Sequence, residues 1–297
     1  MKNCLGKMER RRKRQGQSRI TAGCFLAPSL CGVLLFQALP FLDVVRRSFL
    51  DAMGRSFVGM ANYAAVWGNE AFRMAAKNTL YFFAAAVPAL YLVSLALSLL
   101  VYRPGAGQRL FKTSLVLPMV LPAAAMALVW RILFCPDGLW NQLLYALTGK
   151  PWEQDWVHGK AAFPILVSTY LWKNIGYDML LWLAGLSAIP QSLYDAARVD
   201  GAGEPAQLRY ITLPCLQGTM GLVLVLSVVN SFRVYREAYL LAGSYPDLSI
   251  YMLPHLFSHW FLTLDIQKMS TAAVFLVLAS LPAWGLGRWL RRSGKEG

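Results

Sequence analysis

The apolar residues of this chain fall into six long runs separated by shorter polar segments. The approximate limits of the runs are residues 20–42, 79–102, 111–134, 162–186, 213–232 and 271–290. Each run has close to the ~20 residues that a helix needs to cross the hydrocarbon core of a bilayer. Lipid offers the backbone no hydrogen-bond partner, so segments that cross it must be helical. The pattern therefore predicts an all-α, polytopic bundle of about six transmembrane helices.

Composition supports this prediction and bounds the domain organisation. Hydrophobic residues make up 57% of the 297 residues and charged residues only 15%, whereas an ordinary soluble domain is about one quarter charged. No linker or low-complexity stretch interrupts the runs, so one membrane domain is expected over residues 20–290, between the tails 1–19 and 291–297. The five cysteines predict no disulfide, and no Cys/His cluster has the spacing of metal ligands.

The tail 1–19 is strongly basic, with Glu9 as its one acid. Such a tail can be a nucleic-acid arm, the first part of a signal peptide, or an anchor beside anionic headgroups on the cytoplasmic side. The apolar run that follows is too long for a signal peptide, and the anchor is favoured. Six spans then place both termini in the cytoplasm. Lysine and arginine are also more numerous in the predicted inner segments than in the outer ones.

The polar segment between the fourth and fifth runs, residues 189–212, is called the interhelical segment here. Pro190 ends the preceding helix, and Ser192 is expected to cap a short helix, with Asp195 three residues later reaching back to it. Gly201 is expected to end this helix, because glycine accepts the left-handed conformation. A second short helix is expected to begin at Pro205. Two short helices at the membrane surface predict a docking element for a protein outside the membrane.

The interhelical segment resembles the EAA loop of ATP-binding-cassette (ABC) importer permeases. Residues 194–202 have the sequence YDAARVDGA, and YITLP follows at 210–214. The first acid of the motif is Asp195 here and Glu in the family. The resemblance assigns contact with the ATPase to Tyr194, Asp195, Ala196, Ala197, Asp200, Gly201 and Ala202. Further similarity at 78–80, 117–122 and 184–190 is to the sugar-type branch, which includes maltose and glycerol-phosphate permeases.

The resemblance implies a bacterial plasma-membrane protein with the fold of a type I importer permease and several partners. These are a homologous second permease, a cytoplasmic ATPase dimer and an extracytoplasmic solute-binding protein. ATP and Mg²⁺ would be held by the ATPase subunits, and this chain would have no cofactor; it contains no phosphate-binding loop. A sugar or an oligosaccharide is the implied solute. One departure is residues 241–246, LAGSYP, where the sugar branch has a Thr-x-Gly-Gly-Pro turn.

Polar residues inside the fourth run are candidates for a solute path. Charges at membrane depth are costly unless they pair or face water, and this run contains Lys173 and Asp178. One interpretation is a polar path in which aromatic rings stack on a sugar. The other is a structural Lys173–Asp178 ion pair, formed where the helix breaks near residues 174–176. The candidate path residues are Trp172, Asn174, Tyr177, Asp178 and, in the fifth run, Asn230.

Two further features leave alternatives open. Pro118 and Pro122 predict a kink in the third run, which could serve a flexing, path-lining helix or only shape the packing. An ion-coupled secondary transporter is the alternative function, with Arg131, Lys173 and Asp178 as its only possible coupling groups. No catalytic constellation is present in the sequence, so enzyme activity is not expected.

Overall fold

The protein is described by a computed structural model that covers residues 26–102, 108–159, 161–243 and 246–293, with side chains at all of these except 123, 241 and 281–293. The basic tail 1–19 and most of the tail 291–297 lie outside the described residues. Within them, regular structure is helical apart from one isolated bridge between Leu50 and Phe57. The predicted all-α class is confirmed.

Thirteen helices are numbered here along the described chain. They are α1 (Leu26–Arg47), α2 (Ala61–Gly68), α3 (Glu70–Tyr102), α4 (Gln108–Val120), α5 (Ala123–Phe134), α6 (Leu139–Thr148), α7 (Ala162–Ser187), α8 (Gln191–Val199), α9 (Glu204–Gln207), α10 (Gln217–Ser231), α11 (Tyr235–Ala242), α12 (Leu253–Leu262) and α13 (Ile266–Ser293). A π-helical turn at Leu34–Ala38 interrupts α1. Another at Leu208–Thr212 follows α9 and leads through Leu213–Cys215 towards α10.

Three of the described helical segments are long and apolar enough to cross a membrane: α1, α3 and the run Gln217–Leu240, which joins α10 to α11. They coincide with the first, second and fifth predicted spans, although α3 begins at Glu70, well before the predicted residue 79. The fourth predicted span is a single helix of 26 residues, α7. The sixth lies on α13, for which side chains are described only to residue 280.

The third predicted span is not one kinked helix. The segments Gln108–Val120 and Ala124–Thr148 meet at 103°, so they are a broken span or a re-entrant pair. Pro122 has no backbone N–H and adopts an extended conformation before α5. A residue that precedes proline is also disfavoured in the helical region, which ends α4 near Leu121. The kink was predicted at the correct position, but the observed change of direction is larger than a kink.

The described residues divide into two compact units: those up to Asn69 together with those from His259 onwards, and those from Glu70 to Ser258. In the first unit, α13 packs against α1 and α2. Tyr63 is central there, because its ring lies 5.3 Å from that of Phe275 and its hydroxyl 2.7 Å from Ser48 Oγ. Asn62 donates hydrogen bonds to the carbonyls of Ser48 and Leu50, and thereby fixes the turn that follows α1.

The second unit is built around α7, which packs against α3, α4 and α10. Large buried side chains of α7, among them Tyr170 and Trp182, fill its core. Their polar atoms are satisfied across helices: Tyr170 donates to the carbonyl of Ser227 at 2.8 Å, and Trp182 donates to Ser94 Oγ at 3.0 Å. Such bonds between helices are needed where neither lipid nor water can supply a partner.

Candidate functional site

The interhelical segment is fixed to the core at both of its ends. Ile189, 7% exposed, packs in the apolar cluster of Trp182 and Leu216, and Ile211 lies against the same cluster. Between these ends the Tyr194 hydroxyl lies 2.9 Å from Thr212 Oγ1, and this hydrogen bond ties α8 to the π-helical turn. The segment is therefore an ordered element of the second unit.

The start of α8 differs from the prediction. Pro190 occupies the N-cap position in an extended conformation, and no side chain caps the helix. The carbonyl of Pro190 accepts the N–H of Leu193 at 3.2 Å, so Ser192 already has helical backbone and cannot be the cap. The predicted Ser192–Asp195 capping pair was wrong. Asp195 instead accepts a 3.0 Å hydrogen bond from Arg198, and both side chains are about 60% exposed.

The end of α8 is as predicted. Gly201 has φ of +79°, a value that L side chains rarely adopt. The N–H of Gly201 bonds to the carbonyl of Arg198, and the N–H of Ala202 bonds to that of Ala197 at 2.8 Å. These two bonds form a Schellman motif, which satisfies carbonyls that a helix end otherwise leaves without partners.

The second short helix also begins where the sequence predicts. Gly203 is the N-cap of α9, and Pro205 lies in its first turn, where the missing N–H is not needed. Gln207 donates from Nε2 to the carbonyl of Ala202 at 2.8 Å, which fixes the turn from the other side. Both helices are thus held by local hydrogen bonds in a single arrangement.

All seven residues assigned to ATPase contact lie on this one turn. Asp195, Ala196, Asp200 and Gly201 are exposed, while Tyr194, Ala197 and Ala202 are partly buried. The apolar side chain of Val199 is 88% exposed at the end of α8. The outward surface therefore combines small and acidic residues with the exposed side chains of Arg198 and Val199.

A groove of about 830 Å³ lies beside this turn. Its walls come from the ends of α3 and α7 and from α8 and α9, including Tyr102, Gln191, Arg198 and Glu204. The groove is open to the surface.

A second cavity, of about 630 Å³, is called the polar pocket here. It is defined by residues of α4, α7 and the α10–α11 run: Met119, Tyr170, Lys173, Asn174, Tyr177, Asn230, Phe232, Arg233, Val234, Tyr235, Arg236 and Glu237. Three of the five candidate path residues, Asn174, Tyr177 and Asn230, are among them. The structure therefore brings these three together.

The other two candidate path residues do not line the polar pocket. Trp172 packs edge-on against Trp130, with ring centroids 5.6 Å apart. Asp178 is fully buried and accepts a hydrogen bond of 2.6 Å from Ser227 Oγ. Its other oxygen, Oδ1, has no hydrogen-bond partner among the residues that the structure describes.

The proposed Lys173–Asp178 ion pair is wrong. Lys173 donates to and pairs with Glu237 of α11, and both side chains are largely buried. No helix break brings Lys173 and Asp178 together, because α7 is continuous from Ala162 to Ser187. The polar residues near the expected break have other partners, such as the carbonyl of Tyr170, to which Asn174 donates at 2.8 Å.

Gly176, in the middle of α7, lies where this helix contacts α4. A Cβ placed there would lie 2.2 Å from the backbone oxygen of Leu115 and 2.8 Å from the Cα of Val116. Glycine therefore allows α7 and α4 to approach closely, which is its usual role between membrane helices. It does not mark a break.

Sequence reasoning missed the charged side of the polar pocket. Arg233, Arg236 and Glu237 lie at i, i+3 and i+4 and so share one helical face. Their position at the end of an apolar run was the available signal, because charges in such a run usually face a cavity. The partner of Lys173 could have been sought among them.

A smaller polar cluster lies in the segment after α6. Asp155 Oδ1 accepts the backbone N–H groups of Val157 and His158, each at 3.0 Å. Partial burial acts to raise the pKa of Asp155, but the hydrogen bonds from His158 and Val157 outweigh it. The pKa of Asp155 therefore lies below its ordinary value of 3.8.

Comparison with known proteins assigns a family to this arrangement. Residues 91–293 match the family model described as the inner membrane component of binding-protein-dependent transport systems. The chain is also similar, at 28% identity over 72% of the chain and 74% of the relative, to the lactose transport system permease protein LacF of Rhizobium radiobacter. It is 32% identical, over 73% of the chain and 70% of the relative, to the arabinooligosaccharides transport system permease protein AraP of Bacillus subtilis.

Solved structures support the same fold. A chain of a bacterial alginate ABC transporter, in complex with an alginate pentasaccharide-bound periplasmic protein, superposes with a TM-score of 0.81 at 20% identity, over 94% of this chain and 96% of that one. The family that the residues of the interhelical segment indicated is thereby confirmed, and it favours the importer over the ion-coupled carrier. This membrane protein belongs to the family of binding-protein-dependent transport system inner membrane components, the permeases of ABC importers.

Proposed function

We propose that this chain is one of two permease subunits of an importer for a sugar or an oligosaccharide, and that its interhelical segment docks on a cytoplasmic ATPase. The observation that carries this proposal is the Schellman turn at Gly201, which presents small and acidic residues on a rigid, exposed support. Asp195 would pair with a basic residue of the ATPase, and the alanines would allow close approach. ATP and Mg²⁺ would be held by the ATPase subunits.

The helices that line the polar pocket also lead into the interhelical segment, and this connection provides a route for transport. α7 leads directly into α8, and the helical residues after α9 lead into α10. Closure of an ATPase dimer would pull the interhelical segment and reorient α7 and α10, between which Asn174, Tyr177 and Asn230 line the polar pocket. These three residues would then contact the solute on its way through. A homologous second permease would complete the path, and an extracytoplasmic binding protein would deliver the solute.

Gly201→Asp tests the docking role against Gly203→Asp as its matched control. Both substitutions add one negative charge to the same loop. Only residue 201 has a left-handed backbone, where a side chain costs about 1–2 kcal/mol, whereas Asp is a favourable N-cap at residue 203. We expect Gly201→Asp to insert normally, lose co-purification of the ATPase and lose uptake, while Gly203→Asp retains all three. Normal recruitment of the ATPase by Gly201→Asp would contradict the proposal.

The proposed orientation places both termini and the interhelical segment in the cytoplasm. Val199→Cys, in a chain whose native cysteines are replaced by serine, provides an exposed probe in α8. A membrane-impermeant maleimide should label it in inverted vesicles and not in intact cells. Leu147→Cys, exposed on α6, should show the opposite pattern. Labelling of Val199→Cys in intact cells would contradict the orientation.

The energy source can be tested separately. Membrane vesicles that contain the complete importer should take up the solute only while ATP is present inside. Uptake that continues in ATP-depleted vesicles with an intact ion gradient would instead identify an ion-coupled carrier.

A further inference from the structure

The last turns of the α10–α11 run carry more charge than a membrane helix normally tolerates. Arg233, Arg236 and Glu237 all lie within the apolar segment Gln217–Leu240. Ionisable groups at such positions generally face the interior of the bundle or a water-filled cavity. All three line the polar pocket, together with Lys173 of α7. These charged side chains therefore face the polar pocket.

The charges of the polar pocket do not cancel. Lys173 is paired with Glu237, which is the only acid among the residues that line the pocket. Arg233 and Arg236 are exposed. Within the described part of the chain, neither guanidinium has a hydrogen-bond or ion-pair partner. Two positive charges therefore remain without a counter-charge.

The remainder of the pocket is suited to a carbohydrate. Its volume of about 630 Å³ falls within the range of small-molecule sites, about 300–1,000 Å³. Tyrosine rings from α7 and α11 provide apolar faces, of which Tyr235 is held edge-on against the ring of His255 with centroids 4.8 Å apart. The amides of Asn174 and Asn230 provide donors and acceptors for hydroxyl groups.

From these observations we infer that the polar pocket selects an anionic sugar, one that carries a carboxylate or a phosphate, through Arg233 and Arg236. The inference rests on the proposed function and specifies the chemical class of its solute. Planar guanidinium groups match carboxylate and phosphate oxygens in two-point contacts. The tyrosines and amides recognise the sugar ring, and the arginines recognise the anion.

A binding experiment tests the charge preference. The importer, purified with its second permease and ATPase in detergent and without the binding protein, is titrated with a galacturonic acid disaccharide and with its carboxyl-reduced, neutral counterpart. Hydrogen bonds to charged groups predict a Kd about tenfold lower for the acidic disaccharide. Arg233→Gln and Arg236→Gln should each raise the Kd of the acidic disaccharide about tenfold and leave that of the neutral one unchanged.

Arg73→Gln is the matched control. It removes the same charge from an exposed position of α3 outside the pocket, and it should alter neither Kd. If the unsubstituted importer binds both disaccharides with the same Kd, or binds neither of them, the inference is overturned. Arginine variants that lose bound phospholipid without any change in sugar preference would also overturn it, because the arginines would then hold lipid headgroups. Co-purification of the ATPase, measured on the same samples, separates these outcomes from failure of the proposed function.

Discussion

The interhelical segment and the polar pocket are built in opposite ways. In the interhelical segment, the hydrogen bonds that fix the turn join residues at most 18 positions apart: the Gly201 turn, the bond from Gln207 to Ala202, and the bond between Tyr194 and Thr212. In the polar pocket, the central contact joins Lys173 to Glu237, 64 residues apart. The first site is determined by backbone conformation and the second by helix packing. Substitutions should therefore damage the two sites by different routes.

The largest effect is expected in the polar pocket. Glu237→Ala leaves the Lys173 ammonium largely buried without its partner, and breaking such a pair costs about 3–5 kcal/mol. We expect a marked loss of thermal stability in detergent, measured by the unfolding of the purified protein. The double variant Lys173→Met/Glu237→Leu should recover most of it, because no unpaired charge remains. A double variant as unstable as Glu237→Ala would show that the ion pair is not the cause.

A somewhat smaller effect is expected where α7 crosses α4. Gly176→Ala places a Cβ against the backbone of Leu115, and overpacking of this kind costs about 1–3 kcal/mol. Gly218→Ala is the control, since nothing lies within 4 Å of a Cβ there and alanine is the better helix former. The Tm of Gly176→Ala should fall while that of Gly218→Ala stays equal or rises. Equal Tm values would show that α4 moves aside at no cost.

The interhelical segment should respond locally. Tyr194→Phe removes the hydrogen bond to Thr212, which contributes about 1 kcal/mol. Hydrogen exchange should become faster in residues 191–212 and stay unchanged in α3, and less ATPase should co-purify. Unchanged exchange in residues 191–212 would mean that packing of the ring, and not the hydroxyl, holds α8.

The smallest effect is a pH dependence outside both sites. Asp155 has a lowered pKa, so its contribution to stability is present above its ordinary pKa of 3.8 and is lost as pH falls through the lower, folded value. Tryptophan fluorescence of the segment after α6 should therefore change as the pH is lowered below about 4. Asp155→Asn should remove this fluorescence change below about pH 4. If Asp155→Asn shows the same change, the change belongs to other carboxyl groups.

The same contrast explains what the sequence could predict. The helix end at Gly201 and the start at Pro205 follow from the backbone preferences of single residues, and both are as predicted. The family match follows from the spacing of the same residues. The membrane helices follow from hydrophobicity, although the sequence placed the start of α3 nine residues too late, at residue 79 in place of Glu70.

The errors lie where distant segments meet. One of the two interpretations paired Lys173 with Asp178, which is close in sequence, but the two side chains have different partners, Glu237 and Ser227. Gly176 was placed in a helix break, since the sequence does not reveal how closely α4 passes. The prolines of the third run predicted a bend, and its angle of 103° depends on the packing of both segments.

The continuity of α7 gives the two sites a mechanical relation. Asn174 in the polar pocket lies about 20 Å along the helix from Ser187, at 1.5 Å of rise per residue. α7 has no break between Asn174 and Ser187. A tilt of about 10° imposed at Ser187 would therefore displace the wall of the pocket at Asn174 by roughly 3 Å. A displacement of this size is comparable to the length of a hydrogen bond to a sugar hydroxyl. In the proposed function, a small movement of the interhelical segment would therefore be enough to form or break a hydrogen bond between the pocket and the solute.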